Sequence, residues 1–268
     1  VGTYAVTGAA SGLGACVAAL LTRQGHRVIG VDRHGAEVNA DLGEPEGRRA
    51  AIAGITELSQ GRLDGLVPFA GVAGGVGRSP SLLVSVNYFG AVDLLEGLRP
   101  LLAAAGRSAV VLASSNSATT QPGWHPELAE ACLTGDEEAA RALSESLADD
   151  GGVLAYPATK AALAHYTRTR AADYIADGIR LNAVAPGFID TPMTRAGRED
   201  PKISAGIEAF LAAIPAGRPG RPEEVAEAVL FLLSARSGYC VGTLMYCDGG
   251  LDAAVRGRDW PTVWERKG

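Results

Sequence analysis

Tyr156 and Lys160 stand four residues apart in Tyr156-Pro157-Ala158-Thr159-Lys160, at the start of a helical pattern. That spacing puts both side chains on one helix face, one turn apart. A phenol with a pKa of about 10 is a poor base at neutral pH. An ammonium a few ångströms away lowers that pKa and permits acid/base work on a substrate oxygen. A surface tyrosine–lysine pair is the alternative reading. The chain has few lysines with which to make such a pair: Lys160, Lys202 and Lys267.

A second segment bears on what the pair could act with. Thr7-Gly8-Ala9-Ala10-Ser11-Gly12-Leu13-Gly14 follows an apolar run and opens a helical one. Glycines there permit a tight turn and bring backbone N–H groups close to a pyrophosphate at the positive end of a helix. The spacing G-x-x-x-G-x-G departs from the G-x-G-x-x-G fingerprint, but the strand–turn–helix context is the required one. Asp32 ends the second apolar run, where a carboxylate can accept both hydroxyls of an adenosine ribose. It would repel a 2′-phosphate, so NAD is expected in preference to NADP, with Arg33 next door working against that preference. A solvated turn residue is the other reading of Asp32.

Short apolar runs at Tyr4–Thr7, Arg27–Val31, Leu63–Ala70, Ser108–Ala113, Ile179–Ala185 and Leu244–Cys247 read as buried strands. Helical stretches at about 13–24, 46–59, 80–105, 156–177 and 222–234 lie between them. The fold expected is α/β: a single-domain, Rossmann-type, doubly wound parallel sheet spanning 1–268. Two places break the rhythm. The gap before a possible strand at Ala36–Asn39 is too short for a crossover helix, which needs ~10–12 residues. The segment 116–155 is too long for a loop, and its Glu127–Leu133 and Asp136–Ala148 portions look helical, so it reads as a helical insertion ahead of the tyrosine helix. Residues 251–268 form a C-terminal tail.

Composition bounds the rest. Of 268 residues 35 are glycine, about 13% against an average of roughly 7%, with no collagen period. A net charge of −6 gives no nucleic-acid footprint. The first 22 residues carry no charge, but Gly2, Gly8, Gly12 and Gly14 interrupt them and no basic region precedes them, so neither a membrane span nor a signal peptide is expected. Cys16, Cys132, Cys240 and Cys247 lack metal or redox spacing, and Cys240 and Cys247 read as small core residues. His125 and His165 have no identifiable partner. A reducing cytoplasm and no metal are expected.

In these segments the chain, from residue 3 to about 253, resembles the short-chain dehydrogenase/reductase family. The resemblance implies that Gly8, Ser11, Gly12, Leu13 and Gly14 hold the cofactor and that Asp41-Leu42 touches its adenine. Asp64-Gly65-Leu66-Val67-Pro68-Phe69-Ala70-Gly71 aligns with the family's D-x-L-V-N-N-A-G. Ala70 and Gly71 keep the backbone contact, while Pro68 and Phe69 replace both asparagines and put asparagine bracing of the central strand in question. Asn87 matches the asparagine that holds a water in a proton relay. Ser115 matches the catalytic serine, with Ser114 as the register alternative. In Pro186-Gly187-Phe188-Ile189-Asp190-Thr191, Gly187 and Ile189 would lie along the nicotinamide and Thr191 would reach its carboxamide. Asp248-Gly249-Gly250 closes the last strand.

The long serine-to-tyrosine stretch, the shrunken second crossover, and the phrases Gly25–Asp32 and Val84–Gly90 resemble the bacterial 3α-hydroxysteroid dehydrogenase/carbonyl reductases. The activity implied is NAD(H)-dependent interconversion of a secondary alcohol and a ketone on a bulky apolar molecule. An aromatic or allylic alcohol dehydrogenase of the coniferyl-alcohol type and a non-catalytic dinucleotide-binding regulator are the alternatives. The substrate pocket would draw on the insertion, on 188–215 and on the tail. No nucleic-acid or membrane partner is expected. The insertion, with Leu128, Ala131, Cys132, Ala139, Leu143 and Leu147 on apolar faces and acids such as Glu127, Glu130 and Glu137 toward solvent, would cover the 80–105 and 156–177 helices. A homodimer through the 222–247 end is therefore expected, with a tetramer as the alternative.

Overall fold

The apolar runs form strands β1 (Thr3–Thr7), β2 (Arg27–Asp32), β3 (Val38–Asn39), β4 (Gly65–Pro68), β5 (Ser108–Ala113), β6 (Ile179–Pro186) and β7 (Leu244–Cys247). The computed structural model describes residues 1–75, 77–147, 151–192, 194–195 and 204–260. Among them the seven strands make one sheet in the order β3-β2-β1-β4-β5-β6-β7, with every pairing parallel. Helices Pro45–Leu58, Pro80–Ala104 and Gly151–Ala176 cover one face, and Gly12–Arg23 and Pro222–Leu233 the other. The central strands therefore run apolar on both sides, and Ala5, Val6, Leu66, Val67, Val110 and Val111 are fully buried.

The shrunken crossover is a tight loop. Gly35 turns at φ +72°, and the Asn39 side chain closes the loop by donating to the Ala36 carbonyl at 3.2 Å. Chain is left over for two residues of β3, which pair Val31 with Val38 and Asp32 with Asn39. β4 stops at Pro68, short of the Ala70 expected, because the Phe69 N–H turns back onto the Val67 carbonyl at 3.0 Å and leaves the ladder.

The tyrosine helix begins at Gly151 and not at Tyr156, so the last five residues assigned to the insertion belong to it. Pro157 looks like a helix-opening residue but lies inside the helix, where it can give no N–H to the Val153 carbonyl. Gln121 Nε2 donates to that carbonyl at 2.9 Å, which satisfies the group that proline orphans.

The insertion holds helices Pro126–Leu133 and Glu137–Glu145, the latter capped by Asp136, whose carboxylate accepts from the Ala139 N–H at 3.0 Å. Ala148, the expected end, lies outside the described residues. Leu128 and Cys132 are buried as expected. In the second helix Ala140 and Ser144 are the buried positions, while Ala139 is exposed and Leu143 half-buried. Glu137 is not a solvated acid: it pairs with the buried Arg48. By length and composition the helix Pro80–Ala104 could cross a membrane, but 72% of its apolar window is buried and it packs as a core helix.

Candidate active site

A cleft of about 330 Å³ opens at the carboxyl ends of the central strands, where β1 hands on to β2 on one side and to β4 on the other. That reversal of strand order is where open α/β sheets bind ligands. Its floor is the glycine turn. Gly8 has φ +69°, and a Cβ there would stand 3.0 Å from the Ala70 nitrogen. A Cβ on Gly14 would collide with the Gly8 carbonyl, so the helix starts tight against the strand. Gly12, at φ +56°, faces open space with only Thr191 as near as 4.0 Å. Ser11 is the N-cap residue but makes no side-chain cap bond, which leaves the opening N–H groups of the helix beside Leu13 without that partner.

Asp32 stands at the end of this floor. Its carboxylate accepts the Ala10 N–H at 3.0 Å and the Arg33 N–H at 2.7 Å, so both the turn and the acid are fixed in place. Asp41 and Leu42 form the neighbouring wall; Asp41 Oδ1 accepts the Gly43 N–H at 2.9 Å, and Leu42 is buried.

Two side chains brace the backbone after Pro68 and Phe69. Thr7 Oγ1 accepts the Ala70 N–H at 2.9 Å, tying β4 to β1 just past its end. Asn87, on a π-helical stretch at Val84–Phe89, accepts the Val72 N–H at 2.8 Å and donates to the Val72 carbonyl at 3.0 Å. Its side chain thus braces the backbone after Gly71, with both polar atoms engaged there. Asn87 does not line the cleft.

Ser115, Tyr156 and Lys160 meet at the inner end. The Ser115 hydroxyl lies near enough to the Tyr156 phenol to hold its pKa down, and its Oγ accepts the Ser117 N–H at 3.1 Å. Ser114 donates to the Lys160 carbonyl at 2.8 Å, so of the two register candidates Ser115 is the one that meets the tyrosine. Lys160 Nζ lies 5.6 Å from the Tyr156 ring centre and donates to the Ala113 carbonyl at 2.8 Å. Burial pushes the lysine down to about 8, which leaves it mostly cationic at pH 7. Burial also raises the phenol above its ordinary value, while the neighbouring Ser115 hydroxyl acts in the opposite direction.

The far wall is Gly187, Ile189 and Thr191. Gly187 donates to the Cys247 carbonyl at 3.0 Å, and a Cβ there would stand 2.8 Å from Asp248 Cα. Of the segments expected to shape a substrate pocket, 193, 196–203 and 261–268 lie outside the described residues. Sequence reasoning missed one contact in the inner site: Gly74 and Gly75 pack on Tyr156 and Gly152, where a Cβ on Gly74 would stand 2.7 Å from the Gly152 carbonyl. Paired glycines at 74–75 and 151–152 were the available signal. Among the described residues no cluster of three His, Cys, Asp or Glu could hold a metal ion.

A family model described as enoyl-(acyl carrier protein) reductase matches residues 144–252, from before the tyrosine helix to past the last strand. Over 251 residues the chain is 39% identical to the 3-alpha-hydroxysteroid dehydrogenase/carbonyl reductase of Comamonas testosteroni, covering 94% of this chain and 96% of that one. The chain belongs to the short-chain dehydrogenase/reductase family, and it is an oxidoreductase of that family. It is also 36% identical to the cis-4-hydroxycyclohexanecarboxylate dehydrogenase of Sinomonas cyclohexanicum, over 92% of this chain and 95% of that protein. Among solved structures it is similar to the 3-alpha-hydroxysteroid dehydrogenase of Pseudomonas sp. B-0831 complexed with NADH. The TM-score is 0.89 and the identity 40%, over 96% of this chain and 99% of that one.

Proposed function

We propose that this protein uses NAD(H) to interconvert a secondary alcohol and a ketone on a bulky apolar substrate of the 3α-hydroxysteroid or carbonyl type. The observation that carries the reading is the meeting of Ser115, Tyr156 and Lys160, with the ammonium 5.6 Å from the ring centre, at the inner end of a glycine-floored cleft. The residues present fit a nicotinamide dinucleotide. Gly12 leaves open space up to Thr191, Gly8 and Gly14 permit no side chain, and Asp32 stands fixed at the ribose end. The relative solved with NADH supports the same cofactor. When bound, the cofactor supplies the hydride chemistry.

The chain supplies position and proton transfer. Tyr156 gives its proton to the carbonyl oxygen in reduction and takes it back in oxidation. Ser115 hydrogen-bonds that oxygen and stabilises charge as it develops. Lys160 provides a buried cation beside the phenol and a donor for ribose hydroxyls. Asn87 holds Gly71 and Val72 in place. A regulator that only bound a dinucleotide would need neither Ser115 nor an acid. NADH fluorescence with and without a panel of ketones separates the two, since binding with no turnover on any ketone sinks the enzyme reading.

In this reading residues 1–268 work as one dinucleotide-binding domain in a reducing cytoplasm, with an insertion that begins at 116 and ends before the tyrosine helix. The assembly is a homodimer through the 222–247 end. Support comes from the insertion, which packs Leu128, Cys132 and Ala140 into the core against the 80–104 and 151–176 helices. At the other end Tyr239 is fully exposed, Val241 is exposed, and β7 is a half-buried edge.

A further inference from the structure

Glu137 opens the second insertion helix, yet its carboxylate is turned inward onto Arg48, a residue 3% exposed. Arg48 NH2 donates to Glu137 Oε2, and its NH1 donates to Glu137 Oε1 at 3.3 Å. NH1 also donates to the Leu42 carbonyl at 3.2 Å, and Nε lies 2.8 Å from Asp93 Oδ2. On the other side of Glu137, the fully buried Ser85 donates to Oε1 at 2.6 Å and accepts from Arg141 at 2.6 Å. One guanidinium therefore joins three parts of the fold: the helix Pro45–Leu58, the helix Pro80–Ala104 and the insertion.

The guanidinium's third partner, the Leu42 carbonyl, belongs to the cleft wall. Asp41 and Leu42 have little slack: a Cβ on Gly47 would overlap the Asp41 carbonyl, and one on Gly90 would stand 3.2 Å from Leu42 Cβ. The segment is wedged between two helices with Arg48 behind it. A buried guanidinium keeps such a geometry only while its charge is balanced and its donors are met. Asp93 cannot do this alone. Its side chain is 41% exposed, and without Glu137 it would draw Arg48 toward solvent and away from Leu42. No residue of the two insertion helices lines the cleft; they also pack on the tyrosine helix and on Val84–Phe89, and the Glu137–Arg48 contact is their polar link to the Asp41–Leu42 wall.

We propose that Arg48 is a positioning residue for the wall that receives the adenosine half of the cofactor, and that Glu137 of the insertion holds it in place. The insertion thereby sets cofactor affinity without touching the cofactor. This rests on the dinucleotide reading of the cleft given above.

The test uses the full chain with Glu137→Gln, which keeps shape and an acceptor, and Glu137→Ala, which removes both. AMP and nicotinamide mononucleotide are each titrated by displacement of NADH fluorescence, with thermal unfolding to verify folding. The expected result is a loss of AMP affinity of about fivefold or more in Glu137→Ala, and a smaller loss in Glu137→Gln. Nicotinamide mononucleotide affinity should hold within about twofold, and KM for NADH should rise while kcat at saturation does not move. Unchanged AMP affinity in a folded variant overturns the proposal. So does equal weakening of both mononucleotides, which would mean general loosening. If Glu137→Ala does not fold, Glu137→Gln decides by the same two criteria. Failure of the unaltered protein to bind NADH or AMP would instead sink the dinucleotide reading itself.

Discussion

Gly74 lies so close to Tyr156 that a Cβ on the glycine would stand 2.5 Å from the tyrosine Cβ. The loop carrying it is anchored at both ends: Asn87 clamps Val72, and the Gly75 N–H donates to the Gly152 carbonyl at 3.2 Å. The position of the phenol therefore depends on a backbone that has no room for a methyl group. Gly74→Ala should lower kcat by about tenfold or more by displacing Tyr156, and should cost about 1–3 kcal/mol of stability through overpacking. NADH affinity, which depends on the far end of the cleft, should stay within about twofold. Steady-state kinetics beside NADH titration checks this; an unchanged kcat would show that the loop does not set the tyrosine.

Asp32 should make NAD the preferred cofactor by at least about tenfold in kcat/KM, roughly 1.4 kcal/mol, because a 2′-phosphate would face a carboxylate fixed by two backbone N–H groups. Equal or better efficiency with NADP would contradict this and point to Arg33 as a phosphate partner.

Lys160 gives a stability prediction with a definite sign. Its folded pKa is pushed down to about 8, against about 10.4 for an unfolded lysine. Between those values the unfolded chain holds a proton that the native state has released, so stability rises with pH across that window. Relative to Lys160→Met, which does not titrate, the native protein should gain up to about 3 kcal/mol from pH ~8 to ~10.5. Urea unfolding of both proteins at several pH values measures the difference. A flat or falling difference would mean that burial does not depress the lysine's pKa in the native state.

Assembly tests the insertion. With the insertion helices packed over the 80–104 and 151–176 helices, light scattering at micromolar protein should give the mass of two chains. A mass of four chains would count against the 222–247 interface as the only one used.

Much of this site was legible in the sequence because its parts are local. The glycine turn, Asp32 and the Tyr156–Lys160 spacing are each set within one strand–turn–helix unit or one helical turn, and β5 and β7 follow directly from apolar runs. What escaped is non-local. Gln121 meets the carbonyl orphaned by Pro157 from 32 residues away, which is why the tyrosine helix starts earlier than its proline suggests. Thr7 ties β1 to the backbone after β4 across 63 residues. Glu137 reads as a surface acid until the fold brings Arg48 beneath it, 89 residues distant in sequence. Pairings of this kind leave no periodicity to read.

The central claim is that Tyr156 exchanges a proton with a substrate oxygen during NAD-linked oxidation of a bulky secondary alcohol. The most direct measurement is NADH formation across steroid, aromatic and aliphatic alcohols, with the unaltered protein beside Tyr156→Phe. The account predicts turnover on a bulky secondary alcohol that falls by at least about 10² in the variant, while NADH still binds. Retained turnover in Tyr156→Phe, or NADH binding with no turnover on any alcohol, would contradict it.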